Sequence, residues 1–213
     1  MTNSVGRTVL YLHGFASSPR GRKVEALETL FRPEGIVLEA PDLNVPSFST
    51  LDFDAMLERA RARARECRPG VIAGSSLGAL VALALSRGNP GPPLVLIAPA
   101  IGFGPRWTEK LPAGDPLSFF HHGENRECPI HRRFFEEMAL RKEDEPPAVP
   151  VTVLMGDRDE SVPPDAVREV WNRWEASGRL PPGSGYVAIP EGDHGLTAFV
   201  PAIAGAIRGA LGA

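Results

Sequence analysis

The residues with the most chemical content lie between Val71 and Val81, where a short apolar run ends at Gly74 and an Ala/Leu-rich segment continues from Leu77. Between them stands Gly74-Ser75-Ser76-Leu77-Gly78, a Gly-x-Ser-x-Gly pattern centred on Ser76. A strand that turns this sharply into a helix holds its central serine in a strained conformation, and the positions two residues to either side must be small. Such a turn lifts the Ser76 hydroxyl clear of a sheet and leaves the Leu77 N–H at a helix N-terminus. A phosphate-binding loop is excluded, because Ala79-Leu80 stand where Lys and then Ser or Thr would be required. The Gly-x-Gly-x-x-Gly dinucleotide fingerprint is missing from this stretch.

A serine hydroxyl at its ordinary pKa is a poor nucleophile; it needs a base, and the base needs an orienting carboxylate. Two later stretches supply them: Gly156-Asp157-Arg158-Asp159 and Pro190-Glu191-Gly192-Asp193-His194, each just past an apolar run. The chain order Ser76, Asp159, His194 differs from the chymotrypsin and subtilisin orders. Asp157 and Asp193 read as loop hydrogen-bonders, and His13 as a residue that shapes the loop after the first strand. His121, His122, Glu124 and His131 lack an i, i+4 helical pair and read as surface or lid residues, so no metal site is expected. Cys128 is a lesser nucleophile candidate.

The elements that must position these groups follow from periodicity. Short apolar runs at 8–12, 36–40, 71–73, 94–98, 151–155 and 186–189 read as strands. A helix is expected to start at Ser18-Pro19 and to carry Val24, Leu27, Leu30 and Phe31. A second follows a capping box at Ser49 to Asp52, with Phe53, Leu57, Ala60, Ala64 and Cys67 on one face. Further helices begin at Leu77, around Val167 to Trp174, and from Phe199 to Leu211. Strands alternating with helices predict an α/β fold, a doubly wound, mostly parallel six-stranded sheet with its ligand site at the carboxyl ends of the strands. From 101 to 149 the periodicity breaks, and a segment this long is expected to be a small cap over Ser76. Its Trp107, Phe119, Phe120 and Phe134 are the candidate lining of an acyl pocket.

The opening Tyr11-Leu12-His13-Gly14-Phe15-x-Ser17-Ser18-Pro19 resembles short bacterial esterases of the α/β-hydrolase superfamily, and the chain resembles that fold's core nearly end to end. The family's Gly-x-x-Asp-x-x-Val-Pro motif matches Gly156, Asp159, Val162 and Pro163, which favours Asp159 over Asp157 as the partner of His194. The resemblance implies an oxyanion hole made by the Phe15 and Leu77 N–H groups. It also implies a minimal sheet lacking the superfamily's first two strands. The implied activity is a serine esterase acting on a small-molecule acyl ester or thioester, without metal or organic cofactor. A serine peptidase or an acyltransferase would use the same triad, and a non-catalytic binding protein could keep the same fold.

The chain has 213 residues, 43% of them hydrophobic and 23% charged, with a net charge of −3. It is read as one domain over 1–213, and so mild a charge gives no reason to expect nucleic acid as a partner. Arg59, Arg61, Arg63 and Arg65 alternate with alanines, as a solvated helix face does. Cys67 and Cys128 lie far apart in unlike contexts, so no disulfide is expected. No secretion signal and no uncharged apolar stretch of about 18 residues is visible, so a cytoplasmic protein without a membrane span is expected. Nothing in the sequence selects an oligomeric state.

Overall fold

A computed structural model describes residues 7–88, 91–141 and 145–212. The chain opens with β1 (Thr8–Leu12), α1 (Arg22–Phe31) and β2 (Val37–Glu39). It continues through α2 (Phe53–Cys67), β3 (Val71–Ser75), α3 (Leu77–Ser86) and β4 (Leu94–Ile97). An insertion follows, made of α4 (Phe103–Lys110), β5 (Leu117–His121), β6 (Arg126–Ile130) and α5 (Arg133–Ala139). The fold closes with β7 (Val151–Gly156), α6 (Pro164–Ala176), β8 (Gly185–Ile189) and α7 (Val200–Leu211).

Six strands form one sheet in the order β2-β1-β3-β4-β7-β8, and every neighbouring pair is parallel. β1, β3 and β4 are buried at every residue, as their unbroken apolar sequences require of strands covered on both faces. Helix α2 packs with α3 and α1 with α7, and these two pairs cover the sheet. The register places Leu12 beside Gly74, Ser75 beside Ile97, Ile97 beside Leu154 and Gly156 beside Ile189. The carboxyl ends of five strands therefore meet along one edge.

Three local expectations are corrected. Helix α1 begins at Arg22 and not at Ser18-Pro19, because the Gly21 N–H bonds the Ser18 carbonyl and closes a turn first. Helix α2 is capped by Asp52 itself, whose side chain accepts the Ala55 N–H at 2.8 Å, an N-cap worth about 1 kcal/mol. Ser49 lies in a short 3₁₀ turn instead, where its carbonyl accepts the His131 N–H. The third correction is the insertion, which is regular: a helix pair, α4 with α5, and an antiparallel hairpin, β5 with β6. Inward residues alternate along the hairpin, with Leu117 and His121 buried on one strand and Cys128 and Ile130 on the other. Period-two alternation is what a half-buried strand demands, and a histidine at an inward position disguised it.

Cys67 and Cys128 are both free thiols. Among the described residues no helix is long and apolar enough to cross a membrane.

Candidate active site

Ser76 joins β3 to α3 at φ 52°, ψ −116°, a conformation L-residues rarely adopt. The two glycines of the motif are explained by close approach. A Cβ on Gly74 would stand 2.4 Å from the Gly78 carbonyl oxygen, and one on Gly78 would stand 2.1 Å from the Leu12 carbonyl oxygen. The elbow is tied down by the Ser76 N–H donating to the Ile97 carbonyl and the Ala100 N–H donating to the Ser76 carbonyl.

The loop after β7 brings Asp159 to the same edge, and the loop after β8 brings His194. The two loops touch at glycines, since a Cβ on Gly156 would lie 2.2 Å from the Gly192 carbonyl oxygen. His194 Nε2 is 3.0 Å from Ser76 Oγ, and His194 Nδ1 is 2.7 Å from Asp159 Oδ2. Asp159 is only 5% exposed. Its other oxygen accepts the Ser161 and Val162 N–H groups at 2.9 and 2.8 Å, so its position is held. Asp157 is exposed, and Asp193 turns to accept the Leu196 N–H. The three residues expected to act together are brought together, and the neighbouring carboxylates are not.

Phe15 and Leu77 flank Ser76, and among the described residues neither N–H donates to a protein acceptor. The Phe15 ring is caged by Phe48, Trp107, Phe119, Phe134 and Phe135, with centroids 5.3 to 6.3 Å away. Aromatic contacts of this kind fix the ring, and with it the backbone that carries the N–H. His13 is 3% exposed; its Nε2 accepts the Leu43 N–H at 2.9 Å, and its Nδ1 lies 3.0 Å from the Gly14 carbonyl. It braces the loop against Leu43, and among the described residues it makes no hydrogen bond with Ser76.

Two cavities meet at Ser76. The larger, about 880 Å³, is walled by the 13–24 segment, by His194 and Thr197, and by Trp107, Phe119 and Phe120. The smaller, about 20 Å³, is an apolar slot beside Leu77, closed by Ala100, Trp107, Phe134 and Met138. The four aromatic residues expected to line one acyl pocket are thus divided: Trp107 touches both cavities, Phe134 the slot, and Phe119 and Phe120 the cleft. Phe120 is 44% exposed at the cleft margin.

Sequence reasoning missed Lys23. Its ammonium donates at 2.7 Å to Oγ of Ser75, the residue next to the nucleophile, and it lines the large cleft. Burial pushes Lys23 down to about 8, against the opposite pull of Asp193 and Asp159. The signal was there in Arg20-x-Arg22-Lys23, a cationic run straight after a strand-end loop. The histidines of the insertion have separate partners. His121 accepts the Glu124 N–H and lies 3.4 Å from Asn44, burial lowers its pKa, and His131 faces Asp115. Among the described residues no three His, Cys, Asp or Glu side chains converge as metal ligands.

This fold is shared with solved α/β hydrolases. The chain is similar to Est1E from Butyrivibrio proteoclasticus, solved with ferulic acid bound, at 15% identity and TM-score 0.73 over 97% of this chain and 90% of that one. It is similar to a monoacylglycerol lipase from Paleococcus ferrophilus at 16% identity and TM-score 0.71, over 95% and 94%. It is likewise similar to mouse alpha/beta hydrolase domain-containing protein 10 at 19% identity and TM-score 0.71, over 94% and 88%. The class is therefore that of the α/β-hydrolase fold. Within it, the chain belongs to the uncharacterised protein family UPF0227, whose model matches residues 8–176. No curated protein matches the chain in sequence.

Proposed function

We propose that this protein is a serine hydrolase of small carboxylic esters or thioesters. The observation that carries the reading is the unbroken hydrogen-bonded path from Asp159 through His194 to Ser76, set beside two N–H groups that have no acceptor among the described residues. In this reading His194 Nε2 takes the proton from Ser76 Oγ as it attacks the acyl carbon. Asp159 fixes the tautomer and stabilises the imidazolium. The Phe15 and Leu77 N–H groups receive the oxyanion. Water activated by the same His194 then releases the acid and frees Ser76. The insertion at 101–149 acts as a cap: it supplies one wall of each cavity and is bonded to the main body through His122 N–H to Ala16 and His131 N–H to Ser49.

Labelling with a fluorophosphonate probe, followed by mapping of the modified residue, tests the reading. A single adduct on Ser76, lost in Ser76→Ala and in His194→Ala, is expected. An adduct on Ser75, or no adduct in a folded protein, overturns it.

A further inference from the structure

We infer that the leaving group of the substrate carries an anion, a phosphate or a carboxylate, and that Lys23, Arg20 and Arg22 form the subsite that receives it. The inference rests on the ester- or thioester-cleaving reading above and extends it to the group on the far side of the scissile bond.

The chemistry decides which cavity holds which half of the substrate. Attack by Ser76 forms an Oγ–C bond to the acyl carbon, and collapse of the adduct breaks the bond from that carbon to the departing oxygen or sulfur. The proton that His194 took from Ser76 passes to the departing atom, which leaves as a neutral alcohol or thiol. That atom must lie within reach of Nε2. His194 lines the large cleft and does not line the apolar slot. The leaving group therefore occupies the cleft, and the acyl group takes the slot beside Leu77.

The cleft has one sign of charge. Arg20, Arg22 and Lys23 line it, and among the described residues no aspartate or glutamate does, although the whole chain is net negative at −3. Among the described residues none of the three cations is ion-paired with a carboxylate. The two carboxylates nearest Lys23 in effect are already engaged: Asp159 by His194 and two N–H groups, Asp193 by the Leu196 N–H. Walls of one sign around a concave site focus their field and raise the local concentration of oppositely charged ligands. Lys23 sits innermost and partly desolvated, where attraction to an anion is stronger than at the surface. Arg20 and Arg22 are exposed at the mouth. The uncapped first turn of α1, from Gly21 to Val24, lines the same wall and adds its positive end to theirs.

Three acetyl thioesters that differ only in the thiol test this: S-acetyl 2-mercaptoethanol, S-acetyl 3-mercaptopropionate and S-acetyl 2-mercaptoethyl phosphate, followed by thiol release. The wild type should show kcat/KM for an anionic thioester about 10-fold or more above the neutral one, a ratio that shrinks as salt is raised. R20Q/R22Q should bring the ratio toward unity. A larger ratio for the phosphate than for the carboxylate assigns the phosphate as the natural group, and the reverse assigns the carboxylate. A wild-type ratio of one or less, or a ratio untouched by R20Q/R22Q, overturns the subsite while the neutral thioester still reports hydrolysis. Calorimetric binding of the same compounds to Ser76→Ala separates the two readings. Tighter binding of the anionic compounds, lost in R20Q/R22Q, supports the subsite even if no thioester is cleaved, in which case the hydrolase reading is the one that falls. Equal binding of neutral and anionic compounds overturns the subsite.

Discussion

Ser76 Oγ and His194 Nε2 lie 3.0 Å apart although 118 residues of chain separate them. The strands that carry them, β3 and β8, are three steps apart in the sheet, about 14 Å at the usual strand spacing. The loop after β8 must therefore fold back across β7, and the contact of Gly192 with Gly156 is where it does so.

Ser76→Ala should fold normally and lower kcat by about 10⁴- to 10⁶-fold. Ser75→Ala removes the side-chain partner of the Lys23 ammonium and the Tyr11 hydroxyl, leaves Ser76, His194 and Asp159 in place, and should cost about 10-fold or less. Steady-state kinetics on one acetyl ester compares them. If Ser75→Ala is the inactive variant, the register of the elbow is wrong.

Asp159→Asn should leave the fold intact and lower kcat by about 10⁴-fold, because an amide at this position favours the wrong tautomer of His194. Asp157→Asn should be close to wild type, since that side chain is exposed and outside the path. Equal losses in the two variants would point to a shared network in place of a single orienting carboxylate.

The strained backbone at Ser76 makes a thermodynamic prediction. Ser76→Gly can occupy φ 52° without steric cost, whereas Ser76→Ala cannot. Both variants lack the nucleophile, yet Ser76→Gly should be about 1 kcal/mol more stable than Ser76→Ala in urea unfolding. Equal stabilities would mean that the elbow stores no strain.

At about 20 Å³ the apolar slot holds little more than one small group, so short acyl chains are expected to be preferred. Met138→Ala opens that slot from the side of α5 and should raise kcat/KM for butyryl over acetyl esters by about 10-fold, with some loss of stability. Phe120→Ala, at the margin of the other cavity, should not change that ratio. A lower butyryl-to-acetyl ratio in Met138→Ala would place the acyl chain elsewhere.

Lys23 gives the cleft a pH dependence. The groups facing it are Tyr11 and Ser75 from β1 and β3, Asp159 and Asp193 from the loops after β7 and β8, and Arg20 and Arg22 beside it. Burial pushes the Tyr11 phenol up out of the way. As pH rises through about 8, Lys23 loses its charge and the anionic-to-neutral preference should fall. K23R keeps the charge and should flatten that fall. An unchanged preference up to pH 10 in the wild type would remove Lys23 from the subsite.

Much of this site was legible because parallel strands announce themselves as apolar runs, and the reactive groups sit one to five residues beyond their ends. Ser76 and His194 could be picked from that position and from their chemistry, while Asp159 was separated from Asp157 by the resemblance of Gly156, Asp159, Val162 and Pro163 to a hydrolase motif. The hairpin at 117–130 could not, because His121 fills an inward position that the eye expects to be aliphatic, and its burial is settled by Phe48 and Asn44 from distant parts of the chain. In sequence Ser49 to Asp52 has the pattern of a capping box, and only the backbone shows that Asp52 is itself the cap and that the helix starts at Phe53. Lys23 escaped for a different reason: a cation next to two arginines reads as a solvated face until Ser75 is found against it.

The hairpin is stitched to the very loop that carries Phe15, through the His122 N–H to the neighbouring Ala16 carbonyl, and its Phe119 presses on the Phe15 ring. Taste and temperament are inseparable in such an arrangement: the segment that would select a substrate also holds still the backbone that would stabilise its reaction. The insertion is accordingly not an interchangeable module, and a graft from a relative would alter reactivity together with selectivity unless it also reproduced the footing at Ala16.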